Sequence, residues 1–154
     1  MTSQRALPVL FLALFGASLA LNTATAAPTQ QCQEGAVCSA NFKYEFVGAA
    51  KTFGDAERNC RSLNGHLTSI ADSSERYYVT LLTYRENTFV WIGGRVDAAN
   101  TFSWTDGSSV NCTDWRSPNP VHLSFDTCVQ SFGDFGWTNI LCSNHLSSIC
   151  KIPL

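Results

Sequence analysis

The chain has 154 residues, with ten basic and twelve acidic side chains and a formal net charge of −2. A slightly acidic chain lacks the concentrated positive charge with which proteins bind nucleic acid or anionic membranes, so neither partner is expected. The length predicts one domain with a single hydrophobic core.

The first 26 residues predict a secretory signal peptide. Arg5 precedes an apolar run from Leu7 to about Leu21, and small residues follow it, which is the order typical of such peptides. Cleavage is expected after Ala26, with Ala20 as a second candidate. A membrane anchor is less favoured, because an apolar run of about 15 residues falls short of the roughly 20 that span a bilayer.

Cleavage at that point predicts a secreted protein with no membrane span. Residues 27–41 then form an N-terminal lead, and residues 42–154 form the folded domain. The seven cysteines of the chain predict a disulfide framework in the oxidising extracellular space, with at least one cysteine left without an intrachain partner. Zinc is less favoured, because the sequence has no Cys-x-x-Cys pair and no closely spaced histidines.

Two amphipathic segments predict helices. In the first, residues 51–65, apolar side chains recur at helical spacing, Thr52 is the expected N-cap and Gly65 is expected to close the helix. In the second, residues 72–85, Asp72 and Glu75 give the start signal. The face of this second helix that is expected to be partly buried consists of Tyr78, Leu81, Leu82 and Arg85.

The remainder of the chain predicts short strands and one long loop. The segments FVWIGG, TFSWT, VQSF, GWTN and SSICK are short and rich in aromatic and β-branched residues, as strands are. Residues 106–125 show little periodicity and many Ser, Asn and Pro residues, which is typical of a loop. Two helices followed by several short strands indicate an α+β domain.

Several motifs follow one another in a fixed order from about Phe42 to Lys151. They are Thr52-Phe53-x-x-Ala56-Glu57-x-x-Cys60, Asn64-Gly65-His66-Leu67, Trp91-Ile92-Gly93-Gly94, Phe102-x-Trp104-x-Asp106-Gly107, Asp114-Trp115, Ser117-Pro118-Asn119, Cys128-Val129, Gly136-Trp137-Thr138-Asn139-x-x-Cys142 and Cys150-Lys151. In this order and spacing they resemble the C-type lectin-like domain family. The resemblance implies a disulfide-stapled α+β fold with two helices, short antiparallel strands and a long loop region.

The resemblance also implies how the cysteines pair. Two disulfides are expected, one joining Cys60 to Cys150 and the other joining Cys128 to Cys142. A third, N-terminal pair between Cys32 and Cys38 is expected, although its spacing departs from that of long-form members of the family.

Cys112 is then the odd cysteine, and it is expected to be free or to form a disulfide-linked dimer. It lies within Asn111-Cys112-Thr113, the one N-glycosylation acceptor motif in the sequence. Asn111 is therefore the predicted glycosylation site.

Sugar-binding members of the family hold calcium with a Glu-Pro-Asn motif, with an acid just before a framework cysteine, and with an Asn-Asp pair. The corresponding residues of this chain are Ser117, Pro118, Asn119, Asp126, Thr138 and Asn139. Only one of these carries a formal negative charge where the family places three, and calcium affinity depends on carboxylate ligands. The expected calcium site, formed by Asn119, Asp126 and Asn139, is therefore weak or absent.

The resemblance implies a secreted carbohydrate-binding protein of innate-defence or mucus type, whose partners are glycans or glycoproteins. The expected sugar contacts are Ser117, Asn119, His122, Asp126 and Asn139. The alternative is a non-sugar binder on the same fold, recognising a protein surface or ice, since residues 142–150 are locally similar to type II fish antifreeze proteins. An enzyme is not expected, because the sequence shows no nucleophile motif and no metal-binding helix.

Overall fold

A computed structural model describes residues 36–154, with the backbone alone for residues 36–38. This part of the chain contains eight strands, two α-helices and one 3-10 helix. The elements are β1 (Ala36–Cys38), β2 (Phe42–Lys51), α1 (Phe53–Ser62), β3 (His66–Leu67), α2 (Ser73–Glu86), β4 (Val90–Val96), β5 (Phe102–Trp104), β6 (Thr127–Ser131), the 3-10 helix (Gly133–Phe135), β7 (Trp137–Leu141) and β8 (Leu146–Pro153). The α+β class predicted from the sequence is confirmed.

The predicted signal peptide lies outside the described residues. So does Cys32, and no side chain is described for Cys38, so their disulfide stays a prediction. Strand β1 lies within residues 27–41, the predicted lead, and pairs with β2. None of the helices in residues 36–154 is both long enough and apolar enough to cross a membrane.

The strands form one sheet in the order β1-β2-β8-β4-β6-β7, with β3 added to β8 and β5 added to β4. Strand β8 is the centre of the sheet, because it pairs antiparallel with β2 and β3 and parallel with β4. The long loop, residues 105–126, leaves the sheet after β5 and returns to it at β6.

Helix α1 begins as the sequence predicts. The Thr52 hydroxyl oxygen accepts a hydrogen bond from the backbone N–H of Asp55 at 3.3 Å, which satisfies one of the free N–H groups at the helix start. The end of the helix differs from the prediction. Asn64, at φ 61°, takes the left-handed conformation that was expected of Gly65, because the short polar side chain of asparagine tolerates it.

Helix α2 also begins as predicted, with the Asp72 carboxylate accepting from the N–H groups of Ser74 and Glu75. Its predicted buried face is confirmed only in part, since Leu82 is buried and Tyr78 is half-buried against the core. Leu81 is 43% exposed and Arg85 is exposed, whereas Glu75, Val79, Leu82 and Thr83 are buried.

The reason lies in the contacts of the Glu75 carboxylate. Its Oε1 accepts from the Tyr44 hydroxyl at 2.8 Å and lies 2.5 Å from Lys151 Nζ, and its Oε2 accepts from the N–H of Ala71. A charge that is paired and hydrogen-bonded in this way can lie in the interior. Helix α2 is therefore oriented by a carboxylate, which a count of apolar residues does not detect.

Two apolar clusters form the interior. The first includes Ile92, Trp104 and Trp137, and the second surrounds Trp91 and the Cys60–Cys150 pair. Trp91, Ile92 and Trp104 are buried, as expected of core residues.

Both disulfides implied by the family resemblance, Cys60–Cys150 and Cys128–Cys142, are present. The first closes a sequence separation of 90 residues. It thereby ties α1 to the central strand β8.

Glu57 of α1 joins the helix to the sheet. Its carboxylate accepts from the N–H of Leu67 at 2.9 Å and from Arg61 Nε at 2.9 Å, and it lies 2.7 Å from His66 Nδ1. Burial by itself raises the pKa of Glu57, but these three hydrogen bonds together lower it below its ordinary value of 4.5. The charged form of Glu57 therefore stabilises the folded state.

We expect Glu57→Gln to lower the free energy of unfolding at neutral pH by about 1.5–3 kcal/mol, the range for hydrogen bonds to a charged group. Because the folded pKa is depressed, this stabilisation is complete above about pH 4.5 and is lost as the pH falls through the folded pKa. The difference between wild type and variant should therefore shrink below pH 4.5, as measured by urea denaturation across pH.

The matched control is Glu45→Gln. Glu45 forms a partly exposed ion pair with Lys43, and pairs open to solvent contribute about 0–1 kcal/mol. Equal losses in the two variants, or a Glu57→Gln loss that does not change with pH, would contradict the role assigned to Glu57.

Candidate functional site

The long loop is anchored to the sheet by backbone pairing. The N–H of Trp137 donates to the carbonyl of Asp114 at 2.7 Å, and the N–H of Arg116 donates to the carbonyl of Trp137 at 3.0 Å. Gly136, at φ 79°, precedes this pairing, and a Cβ at that position would lie 2.6 Å from the Asp114 carbonyl oxygen. A larger residue there would displace the loop.

Four aromatic rings lie under this anchor. Trp115 packs edge-on against Trp137 with centroids 5.7 Å apart, and Phe102 packs edge-on against Trp115 at 5.2 Å. Trp104 completes the cluster, 5.3 Å from Trp137. Such pairs contribute about 0.5–1.5 kcal/mol beyond their buried area, so this end of the loop has a rigid base.

The Ser-Pro-Asn motif lies directly beyond the anchor. The peptides Ser117–Pro118 and Asn119–Pro120 are both cis. The backbone N–H and the side-chain amide of Asn119 both donate to the Arg116 carbonyl, at 2.7 and 2.9 Å. Ser117 is exposed.

The single carboxylate of the predicted calcium site is paired with a cation. Asp126 Oδ2 accepts from Arg95 Nη2 at 2.7 Å, and its Oδ1 accepts from the N–H of Ala98 at 3.2 Å. Sequence reasoning did not predict a role for Arg95. Its role could have been suspected from its position, because it is the one charged residue in the otherwise apolar strand segment VWIGGRV.

Asn139 is directed into the structure and joins the loop to the sheet. It is 6% exposed. Its Oδ1 accepts from the N–H of Val121 at 2.7 Å, and its Nδ2 donates to the Val121 carbonyl and to Thr127 Oγ1, both at 2.8 Å. All of its hydrogen-bonding capacity apart from one lone pair is therefore used within the fold.

The neighbouring residue, Thr138, is also engaged. Its hydroxyl oxygen accepts from Gln130 Nε2 at 2.9 Å. The structure thus shows no hydrogen bond between any two of Asn119, Asp126 and Asn139, all of which lie within the described residues.

This donor set does not fit a calcium ion. Calcium takes six to eight oxygen ligands, and carboxylates set the affinity, whereas the one carboxylate here already bonds a guanidinium. Nowhere in residues 36–154 do three or more His, Cys, Asp or Glu side chains form a group that could hold a metal.

The other loop candidates lie at the surface. His122 is exposed, and Phe125 is 45% exposed. Asn111 is exposed too, as an acceptor of a glycan must be, and its glycosylation stays a prediction. These positions leave the loop surface accessible to a ligand.

Cys112 is the free cysteine of the described chain. Its thiol lies against the core and donates to the Ile70 carbonyl at 3.5 Å. Burial, followed by the nearby carboxylates of Asp72 and Glu75, raises the pKa of this thiol. A less ionised thiol is less reactive, and the disulfide-linked dimer stays a prediction.

Comparisons with known proteins agree on one family. The sequence model described as "Lectin C-type domain" matches residues 49–152. An alpha-N-acetylgalactosamine-specific lectin from Patiria pectinifera is 33% identical over 122 residues, which cover 71% of this chain and 73% of that protein.

Two solved structures are similar in fold. Human lithostathine has a TM-score of 0.72 and 26% identity, covering 86% of this chain and 99% of that one. A calcium-independent type II antifreeze protein has a TM-score of 0.69 and 29% identity, covering 80% of this chain and 96% of that one.

The contacts of Asn139 generate a prediction. An aspartate at this position would lose both donated hydrogen bonds and place a carboxylate oxygen against the Val121 carbonyl. We expect Asn139→Asp to lower the free energy of unfolding by about 1–3 kcal/mol, the cost of leaving a buried group unsatisfied. Urea denaturation measures this change.

The matched control is Asn144→Asp, at an exposed turn between β7 and β8, which should change stability little. Equal stability of the two variants, or equal losses in both, would contradict the structural role of Asn139.

Proposed function

Because the chain belongs to the C-type lectin domain family, we propose that it is a secreted glycan-binding protein that binds its ligand without calcium. The ion pair between Arg95 and Asp126 is the observation that carries the proposal. A guanidinium lies 2.7 Å from the one carboxylate that would bind the ion. The positive charge that calcium supplies in sugar-binding relatives is supplied here by the protein.

The inward position of Asn139 supports the same conclusion. In the family pattern, the corresponding residue is a shared ligand of calcium and sugar, whereas here its amide groups bond Val121 and Thr127. The loop therefore keeps its conformation through protein contacts alone. A relative named as a calcium-independent antifreeze protein supports the view that the fold functions without the ion.

Glycans are the favoured ligand class. The alpha-N-acetylgalactosamine-specific lectin aligns with most of the chain. The sequence predicts sugar contacts at Ser117, Asn119, His122, Asp126 and Asn139, and this loop is the alternative to any other glycan-binding surface of the domain. The leader-like residues 1–26 support secretion, and a role in innate defence fits an extracellular lectin.

Ice is a second candidate ligand. The observation that favours it is the likeness to a type II antifreeze protein over 80% of the chain. An ice-binding protein would show thermal hysteresis, and it would bind no immobilised glycan.

A glycan array, probed with the purified protein in calcium and again in chelator, tests the proposal. We expect the same glycans to be bound under both conditions, because the one carboxylate available to hold calcium in the loop, Asp126, is already paired with Arg95. Signals that disappear with chelator would contradict calcium independence. An array without any bound glycan would contradict the lectin function, and thermal hysteresis would then identify ice as the ligand.

A further inference from the structure

A groove runs along α2, away from the residues of the predicted calcium site. It consists of two adjoining cavities of about 200 and 210 Å³, both lined by Ser73 and Arg76. Together they fall within the range of roughly 300–1,000 Å³ that is common for small-molecule sites. Neither cavity is lined by Ser117, Asn119, Asp126 or Asn139.

The carboxylate of Asp134 lines the first of these cavities, the one of about 200 Å³, and it is held in place by hydrogen bonds. Asp134 Oδ2 accepts from the Tyr84 hydroxyl at 3.0 Å, and the N–H of Asp134 donates to the same oxygen of Tyr84 at 3.3 Å. The preceding residue, Gly133, donates its N–H to Thr83 Oγ1 at 2.8 Å. The 3-10 helix is thus bonded to α2, and Asp134 Oδ1 keeps no partner among residues 36–154.

Only glycine permits this contact. Gly133 has φ 47°, and a Cβ there would lie 2.7 Å from the Tyr84 ring. Residues with a side chain rarely adopt this conformation. The local sequence therefore allows the 3-10 helix to approach α2 closely enough to position Asp134.

Donor groups lie beside this acceptor. Arg76 Nη1 bonds Asp114 at 3.0 Å, and its other guanidinium N–H groups have no partner within the described part of the chain. Ser73 and Thr80 contribute hydroxyl groups that both donate and accept. Charge-assisted hydrogen bonds are roughly twice as strong as neutral ones, so Asp134 and Arg76 can fix the orientation of a ligand's hydroxyl groups.

An exposed aromatic ring completes the first cavity. Tyr77 is 61% exposed although it lies on a helix whose opposite face packs on the core. Its ring contacts that of Tyr78 edge-on, with centroids 6.2 Å apart. A sugar ring has an apolar C–H face and a rim of hydroxyl groups, and an aromatic face next to polar side chains matches both parts.

The excess of negative charge in the groove disfavours anionic sugars. Asp72, Asp114 and Asp134 face one cation, Arg76, across the two cavities. A sialylated or sulfated sugar would add a negative charge to this excess of carboxylates, which is unfavourable at close range. A neutral hexose or N-acetylhexosamine carries no such cost.

We propose that this groove is the glycan-binding site, in which a neutral sugar ring packs its C–H face on Tyr77 and donates a hydroxyl hydrogen to Asp134. This inference rests on the proposed lectin function and adds the location of the site and the class of sugar. Arg76 donates to a neighbouring hydroxyl oxygen. The second cavity extends the site for an adjoining sugar unit.

The test measures binding of the full-length secreted protein to agarose beads that carry N-acetylgalactosamine, galactose or mannose, with sialyllactose and heparin as anionic probes. We expect Tyr77→Ala and Asp134→Asn each to weaken the neutral-sugar interaction by about tenfold or more, which is the effect of losing one strong contact. Circular dichroism should show unchanged folding, because both side chains are exposed.

Three control variants test whether sugar binding depends on the groove itself. Tyr77→Phe keeps the ring and should keep affinity within about threefold. Leu81→Ala removes another exposed apolar side chain of α2 and should bind like wild type. Alanine at both Ser117 and His122 tests the loop, and it should also leave binding unchanged.

The outcomes distinguish this inference from the function on which it rests. A wild-type protein that binds no sugar would overturn the lectin function itself. Three results would overturn the groove assignment but not the lectin function. They are sugar binding that survives Tyr77→Ala and Asp134→Asn, sugar binding that is lost in the loop variant, and binding that is confined to the anionic probes. Competition for the groove by a lysine-rich peptide but by none of the sugars would also overturn it.

Discussion

The paired backbone of Trp137 and residues 114–116 determines the position of both candidate binding surfaces. On one side it places the Ser-Pro-Asn motif, and on the other it places Asp114 where Arg76 bonds it. The aromatic cluster packs beneath this pairing and supports it. The close approach of the two backbone segments depends on Gly136, which has no side chain to collide with the Asp114 carbonyl.

Side-chain contacts within the protein hold the loop to the sheet. Arg95 and Asp126 form an exposed pair, with 47% and 50% of their side chains accessible, and such a pair contributes only about 0–1 kcal/mol to stability. The larger contribution to loop order comes from buried Asn139, which satisfies both backbone groups of Val121. The hydrogen bonds of Asn139 thus hold this part of the loop against the sheet.

The sequence predicts much of this fold because its strongest signals are local or carried by ordered motifs. The N-cap of α1 at Thr52 is predictable from neighbouring residues, and the pairing of Cys60 with Cys150 follows from the family resemblance. Apolar spacing correctly placed Leu82 on the buried face of α2 but not Glu75, which is buried through bonds to Tyr44 and Lys151, both distant in sequence. The contacts of Asn139 were not predictable either, because its partner Val121 lies 18 residues away.

The groove was likewise not predictable from the sequence. Tyr77 and Asp134 occur in segments that show no binding motif, and they come together only because Gly133 brings the 3-10 helix onto α2. A candidate site of this kind becomes visible through exposure and through unused hydrogen-bonding capacity, as at Asp134 Oδ1. Pattern reasoning favoured the loop because the loop carries the family's motif.

The central position of β8 has a consequence for biosynthesis. This strand pairs with β2, β3 and β4 and carries Cys150, so the sheet lacks its middle strand until residues 146–153 have left the ribosome. Chains grow at roughly 5–20 residues per second, and during that time Cys60 has no native partner and the edges of β2 and β4 are unpaired. Unpaired strand edges promote association between chains. Until its last strand is made, the nascent protein therefore exposes both an unpaired cysteine and strand edges through which chains can associate.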